Sequence, residues 1–191
     1  MITAIGDVMR EAYKRNWITT RDGNCSLRKS GKKVLYITPS GVRKAIIYPE
    51  SIIRIPIVDG VLKLGDSSPS GELAMHWLLQ KGAKKTRCVL HLHPTYTLAA
   101  MRAGWNLREL SKEFPEVYRY TDVGDNVGVL PAISKELADE TLMKITKEDG
   151  SFYDIVGQEA HGVCAVGTDP WQTFEHIERL EHICKIAIMA K

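Results

Sequence analysis

The sequence predicts an α/β protein in which a mainly antiparallel central sheet is flanked by layers of helices. Three observations lead to this fold class. Apolar residues recur at helical spacing over residues 2–13. Two β-like runs, residues 52–58 and 61–64, are separated by Asp59-Gly60, which is a strong hairpin signal. Near the end of the chain, Asp169-Pro170 supplies an N-cap and a first-turn proline, and this pair predicts the start of a long helix.

The elements of the first half follow from the same kinds of signal. The first helix ends at a polar stretch, residues 19–24, which contains a glycine and predicts a turn. Runs of β-branched and apolar residues then predict four short strands, at residues 25–27, 34–38, 52–58 and 61–64. The hairpin between the last two runs indicates that this part of the sheet is antiparallel.

The second half alternates helices and strands. Ser70 precedes a helix over residues 71–80, and the strand at residues 86–93 ends at Pro94. Further runs predict helices over residues 95–103 and 133–145 and from residue 170 onward, and strands over residues 153–156 and 160–166. The polar and aromatic stretch of residues 113–121 is broken by Pro115, so we do not expect it to form a regular core element.

Length and composition are those of one domain over residues 1–191, with 44% apolar residues. The 26 Lys and Arg are interspersed with 23 Asp and Glu, and the net charge of +3 is far from the basic excess of a nucleic-acid-binding protein. No apolar run approaches the ~20 residues of a membrane span, and the first residues do not resemble a signal peptide, which predicts a cytoplasmic protein. The cysteines lack C-x-x-C spacing and are each predicted to be a buried or reduced thiol: Cys25, Cys88, Cys164 and Cys184.

Histidines give the sharpest chemical signal. His91 and His93 alternate along a predicted strand, so both imidazoles lie on one face, close enough to share a metal ion. His161 begins another predicted strand and is followed by a glycine that allows close backbone approach. Each signal alone is better explained by a structural histidine, whereas three histidines together form the ligand set of an open, catalytic zinc site. The remaining histidines are predicted to lie on solvated helix faces: His76, His176 and His182.

Three pairs of small residues could hold an oxyanion with backbone amides: Gly23-Asn24, Ser40-Gly41 and Ser70-Gly71. Each pair alone is an ordinary turn. Together with nearby cations they could form a phosphate site if the fold brings them together: Arg28, Arg43 and Lys44.

Five motifs occur in the order and approximate spacing of the class II aldolase/adducin family: Gly23-Asn24-Cys25-Ser26-Leu27-Arg28, Ile37-Thr38-Pro39-Ser40-Gly41, Pro69-Ser70-Gly71-Glu72, His91-Leu92-His93-Pro94 and His161-Gly162. The chain resembles this family over essentially its whole length, and in particular its branch of L-fuculose-1-phosphate-type aldolases. The resemblance implies a nine-stranded type of mainly antiparallel sheet and a ring-shaped homotetramer whose active sites lie at subunit interfaces.

The resemblance also implies an activity, the reversible cleavage of a ketose 1-phosphate to dihydroxyacetone phosphate and an aldehyde. It implies that zinc, or else manganese or cobalt, binds His91, His93 and His161. Glu72 matches the family's acid/base carboxylate, and Tyr120 matches a tyrosine that reaches into a neighbouring subunit's site. The family's phosphate-binding positions correspond to Gly23, Asn24, Ser40, Gly41, Ser70 and Gly71.

Some features leave alternatives open. Gly71 stands where many relatives have a second serine, and a two-residue gap would exchange Tyr120 for Tyr118. A pentulose-phosphate 4-epimerase would use the same bond cleavage. A methylthioribulose-1-phosphate dehydratase would use the same metal site, and the helix that carries His176 and Glu178 has some likeness to it. The family also includes the adducin head, which shows that this fold can serve as a non-catalytic binding module. The presence of His91, His93, His161 and Glu72 argues against that alternative for this chain.

Overall fold

Seven antiparallel strands form one sheet in the computed structural model, which describes residues 2–29, 31–82 and 86–190. The strand order is β4-β3-β2-β1-β5-β7-β6. The strands are β1 (Asn24–Arg28), β2 (Val34–Ile37), β3 (Ile53–Val58), β4 (Val61–Leu62), β5 (Cys88–Leu92), β6 (Ile155–Gln158) and β7 (Gly162–Gly167). The described strands therefore number seven, and the nine-stranded type of sheet implied by the family resemblance is wrong for this part of the chain.

Seven α-helices cover the sheet, and 3₁₀ turns lie at Lys44–Ile46 and Pro49–Ser51 among the described residues. The helices are α1 (Ile2–Lys14), α2 (Leu73–Gly82), α3 (Thr95–Arg102), α4 (Leu107–Lys112), α5 (Pro115–Tyr120), α6 (Lys135–Ile145) and α7 (Pro170–Met189). One face of β5, which carries Leu90 and Leu92, packs against α1, α3 and α7. The opposite face, with Val89, packs against α2 and α6. The predicted class, a mainly antiparallel sheet between helix layers, is confirmed.

Local sequence signals account for most element boundaries. Asp59 and Gly60 both have positive φ, 50° and 74°, as a two-residue hairpin between β3 and β4 requires. The Asp169 side chain accepts hydrogen bonds from the first amides of α7, and Pro170 occupies the first turn. The predicted break at Pro115 is wrong, because Pro115 begins the regular helix α5. Val117 is the buried residue of α5, so the helix is regular but lies mostly outside the core.

All four cysteines are buried free thiols, as predicted. Within the described residues, every helix is too short or too polar to cross a membrane.

Candidate metal centre and cleft

Strand pairing brings the three predicted metal ligands together. The antiparallel register of β5 and β7 pairs Leu92 with Val163, so His161, just before β7, lies beside the end of β5. One ring nitrogen from each of His91, His93 and His161 lies within 4.8 Å of the other two. The Nε2 atoms of His91 and His93 are 2.8 Å apart. The structure therefore forms the cluster that the sequence predicted from separate motifs.

Gly162 allows the two strands to approach this closely. A Cβ atom at this position would lie 2.7 Å from Cδ2 of His93 and 2.9 Å from Cε1 of His91, and closer still to the carbonyl oxygen of Leu92. Real Cβ atoms do not approach other atoms at such distances. The turn before it contains Ala160 at a φ of 57°, a left-handed conformation that is uncommon outside glycine. His161 is thus held by a tight and sterically specific turn.

The environment of His91 and His93 favours the neutral imidazole that a metal ion requires. Burial lowers the pKa of His91 well below its usual value, and the neighbouring His93 and His161 lower it further. Burial and His161 also lower the pKa of His93, against the opposing effect of Asp22. His91 Nδ1 lies 3.0 Å from the carbonyl oxygen of Val163, which fixes the proton on Nδ1 and leaves the Nε2 lone pair facing the cluster. Three imidazole nitrogens with an open fourth position fit a divalent metal ion.

Glu72 lies directly before α2, and its carboxylate reaches the same cluster. Its Oε2 is 3.5 Å from His91 Nε2, and its Oε1 is 3.5 Å from His161 Nε2. Asn24 Nδ2 donates a hydrogen bond of 2.9 Å to Oε2. The other oxygen, Oε1, is buried and accepts no hydrogen bond from the described residues. One carboxylate oxygen is therefore held, and the other is available to a ligand.

A cavity of about 360 Å³ lies above the cluster. Its lining includes the three histidines and Glu72, and it includes all three small-residue pairs: Gly23-Asn24, Ser40-Gly41 and Ser70-Gly71. The structure thus brings together turns that are separated by up to about fifty residues. Three larger cavities, of about 650, 690 and 660 Å³, also lie on the described surface; the last is lined by His93, but none is lined by all three histidines.

The predicted cations are divided between the cavity and the surface beyond it. Lys44 lines the cavity and is buried, and its Nζ donates hydrogen bonds to the carbonyl oxygens of Arg21 (2.9 Å) and Val42 (3.2 Å). Burial lowers the pKa of Lys44, and Asp22 opposes this effect. Arg28 and Arg43 are not among the described residues that line the cavity, so these two expectations are wrong.

The two candidate tyrosines lie outside the cavity of their own chain. Both are on α5, where the side chains of Tyr118 and Tyr120 are 75% and 51% exposed. The Tyr120 ring lies next to the guanidinium groups of Arg119 and Arg179. The cavity lining described for this chain includes neither tyrosine.

The predicted solvation of His76 and His176 is wrong, whereas His182 is exposed as expected. His176 is buried, and its Nδ1 lies 2.9 Å from Thr121 Oγ1. His76 is completely buried, with Nδ1 at 2.8 Å from Ser26 Oγ and Nε2 hydrogen-bonded to Asn24 Oδ1. Burial lowers the pKa of His76 to about 4. The available signal was its i, i+4 spacing from Glu72 on a helix whose inner face is apolar.

Two curated proteins illustrate the range of activities among similar sequences. The chain is 25% identical to an L-fuculose phosphate aldolase of Methanococcus vannielii over 91% of its length and 88% of that protein. It is 27% identical to a 3-oxo-tetronate 4-phosphate decarboxylase of Haemophilus influenzae over 93% of its length and 81% of that protein. These relatives share a family while differing in the reaction that their names describe.

Solved structures share the fold. A sugar-phosphate aldolase from Thermotoga maritima superposes with a TM-score of 0.79 at 23% identity, covering 98% of this chain and 93% of that one. The family described as class II aldolase and adducin N-terminal domain matches residues 3–188. Because this match spans almost the whole sequence, the chain belongs to the class II aldolase and adducin N-terminal domain family.

Proposed function

We propose that this protein is a zinc-dependent aldolase that reversibly cleaves a ketose 1-phosphate of the L-fuculose-1-phosphate type to dihydroxyacetone phosphate and an aldehyde. The observation that carries the proposal is the convergence of three imidazole nitrogens within 4.8 Å of one another, with the Glu72 carboxylate beside them. The small-residue turns of a candidate phosphate site line the same cavity. Relatives named as sugar-phosphate aldolases support this assignment.

His91, His93 and His161 would hold the metal ion. When bound, a divalent cation supplies a Lewis acid that stabilises negative charge on the carbonyl and hydroxyl oxygens of a cleaved ketose. Imidazole ligands in an open three-residue set are typical of catalytic zinc, and manganese or cobalt remain the other candidate ions.

The phosphate group would bind in the same cavity, at the small-residue turns that line it. Ser40-Gly41 and Ser70-Gly71 line the cavity, but the amides of Ser40 and Ser70 already donate hydrogen bonds of 3.0 Å to Ser68 O and Thr38 O. The two serine hydroxyls and the amides of Gly41 and Gly71 would be the donors, and Lys44 supplies a buried positive charge nearby. Gly71 has no hydroxyl donor, and the space next to it is filled by Ile133, whose Cδ1 would lie 3.0 Å from a Cβ atom at position 71. The remaining donors would therefore carry phosphate recognition, with Gly23 and Asn24 completing the lining.

Glu72 would transfer the proton on the dihydroxyacetone phosphate carbon. Oε1 is the oxygen for this step because it faces the cluster without a hydrogen-bond donor from the described residues, whereas Oε2 is held by Asn24. An acid/base group at this place accepts the proton in one direction and returns it in the other.

A second proton must be exchanged with the aldehyde oxygen, and we assign this to Tyr120 of a neighbouring subunit in a homotetramer. Tyr120 is exposed and is not among the described residues that line the cavity of its own chain, which supports supply from a neighbour. The test mixes inactive Tyr120→Phe subunits with inactive Glu72→Gln subunits. Sites that receive one intact residue from each chain should regain activity, whereas mixed oligomers without activity would exclude a shared site. Tyr118→Phe is the matched control. If Tyr118→Phe loses activity and Tyr120→Phe does not, the proton exchange is assigned to Tyr118 instead of Tyr120.

The activity is tested by supplying a panel of ketose 1-phosphates to metal-loaded protein and measuring release of dihydroxyacetone phosphate. An aldolase releases it, and the same sugars without phosphate should react far more slowly, with inorganic phosphate acting as a competitor. A ketose phosphate that is isomerised at carbon 4 would indicate an epimerase, and loss of water from methylthioribulose 1-phosphate would indicate a dehydratase. Either outcome without dihydroxyacetone phosphate release would overturn the aldolase assignment.

A further inference from the structure

A chain of buried polar side chains leads from the protein interior to Glu72. Its members are at most 8% exposed and come from β1 and the α2 region: Gln80, Ser26, His76, Asn24 and Glu72. Gln80 Nε2 lies 2.9 Å from Ser26 Oγ, which lies 2.8 Å from His76 Nδ1. His76 Nε2 is hydrogen-bonded to Asn24 Oδ1, and Asn24 Nδ2 reaches Glu72 Oε2 at 2.9 Å. The catalytic assignment of Glu72 does not require this chain, so its function needs a separate explanation.

The Glu72 carboxylate at one end, together with the neutral imidazole of His76, fixes the direction of every hydrogen bond. A carboxylate only accepts, so Asn24 must turn its NH₂ group toward Glu72 and its carbonyl oxygen toward His76. His76 must then carry its proton on Nε2 in order to donate to that oxygen. Because burial keeps this imidazole neutral, Nδ1 has no proton and accepts the hydroxyl hydrogen of Ser26. Ser26 Oγ in turn accepts from Gln80.

We propose that His76 is a positioning residue, which fixes the amide of Asn24 so that its NH₂ group holds Glu72 Oε2 and leaves Oε1 for proton transfer. This inference rests on the proposed function of Glu72. With the amide reversed, Asn24 would bring its carbonyl oxygen to the place where Nδ2 now lies 2.9 Å from the carboxylate, and two acceptors would repel each other. His76 excludes this orientation because its Nε2–H group can only donate.

The first experiment measures the protonated nitrogen of His76 directly. Protein labelled with ¹⁵N-histidine is studied by long-range ¹H–¹⁵N correlation, with His76→Gln used to assign the signal. A proton on Nε2 and none on Nδ1 is the expected result. A proton on Nδ1 would overturn the proposal, because Asn24 would then have to turn its carbonyl oxygen toward Glu72. This readout does not depend on turnover.

The second experiment measures exchange of the dihydroxyacetone phosphate carbon-bound proton with D₂O. His76→Leu removes the donor to Asn24, whereas His76→Gln places an amide in the same cavity with both a donor and an acceptor. We expect exchange to fall about 10- to 100-fold in His76→Leu, the usual cost of losing a group that orients an active residue, and to recover in large part in His76→Gln. Bound metal should stay at the wild-type stoichiometry in both variants.

If the role of His76 were purely structural, the exchange rate of each variant would follow its thermal stability, whether or not the variant has a hydrogen-bond donor at position 76. Thr173→Val is the matched control, because Thr173 is fully buried and donates a 2.7 Å hydrogen bond to Asp169 O outside the polar chain. Exchange in this variant should remain at the wild-type rate. Two results would overturn the proposal. One is an exchange rate in His76→Leu equal to that of wild type. The other is an equal loss of exchange in His76→Leu and His76→Gln when His76→Gln is as stable as wild type.

The proposal stays testable if His76→Leu does not fold and if wild-type protein does not exchange the proton. If His76→Leu does not fold, Ser26→Ala keeps the imidazole but removes the donor to Nδ1, so part of the His76 proton should move to Nδ1 and exchange should fall with it. Wild-type exchange despite that shift would contradict the proposal. If wild-type protein itself does not exchange the proton, the proposed function fails, while the position of the His76 proton still decides the orientation of Asn24.

Discussion

Replacing Gly162 by alanine tests the geometry on which the metal centre depends. The added Cβ would lie 2.7 Å from His93 Cδ2 and 2.9 Å from His91 Cε1, whereas ordinary contacts begin near 3.4 Å. The added Cβ would also lie 2.4 Å from the carbonyl oxygen of Leu92, so the groups must separate by about 0.5 Å at His91, 0.7 Å at His93 and 1.0 Å at Leu92. The Leu92 carbonyl cannot rotate away as a flexible side chain would. Metal–nitrogen bonds tolerate displacements of only about 0.2 Å. His161 then cannot bind the ion together with His91 and His93.

We expect Gly162→Ala to lower metal affinity by more than about 100-fold, beyond the loss usual for an orienting group, and to destabilise the fold by about 1–3 kcal/mol. Metal content after dialysis against a competing chelator measures the first effect, and denaturant unfolding of metal-free protein measures the second. Gly128→Ala is the matched control, because a Cβ atom there has open space and no positive φ is recorded. Wild-type metal affinity in Gly162→Ala would refute the steric argument.

Three further predictions concern neighbouring residues. His93→Ala should abolish stoichiometric metal because two ligands remain, and full retention of metal by this variant would contradict the assigned ligand set. Glu72→Gln should keep metal and fold but lose about 10²- to 10⁴-fold in turnover, because an amide cannot accept the proton; wild-type turnover would remove Glu72 from the mechanism. Burial lowers the pKa of His76 to about 4. Between about pH 6.5 and 4 the unfolded chain therefore binds a proton at this residue that the folded chain does not. As the pH falls through this range, His76 lowers the free energy of unfolding by up to about 1.4 kcal/mol per pH unit. His76→Gln should show a correspondingly shallower dependence in unfolding titrations of metal-free protein, and an unchanged slope would show that His76 does not titrate as stated.

Local sequence signals predicted the elements well because the signals themselves are local. Asp59-Gly60 forms its hairpin, and Asp169-Pro170 begins α7, since backbone preference and capping act within a few residues. Pro115 was misinterpreted because proline both ends helices and occupies their first turn, and only the following residues decide between the two. The alternation of His91 and His93 predicted that both imidazoles lie on one side of the chain without any tertiary information; His91 is in β5, and His93 follows it directly.

By itself, the sequence determined the fold class, the pairing of two histidines on one strand and the family to which the chain belongs. Only the tertiary structure decided that His161 and Glu72 meet that pair, because their approach depends on the register of β5 with β7 and on the space left by Gly162. It also decided the environment of His76. Spacing showed that His76 shares a helix face with Glu72, but burial of that face depends on contacts with Ser26 and Asn24 from a strand about fifty residues away, and no local pattern records such contacts.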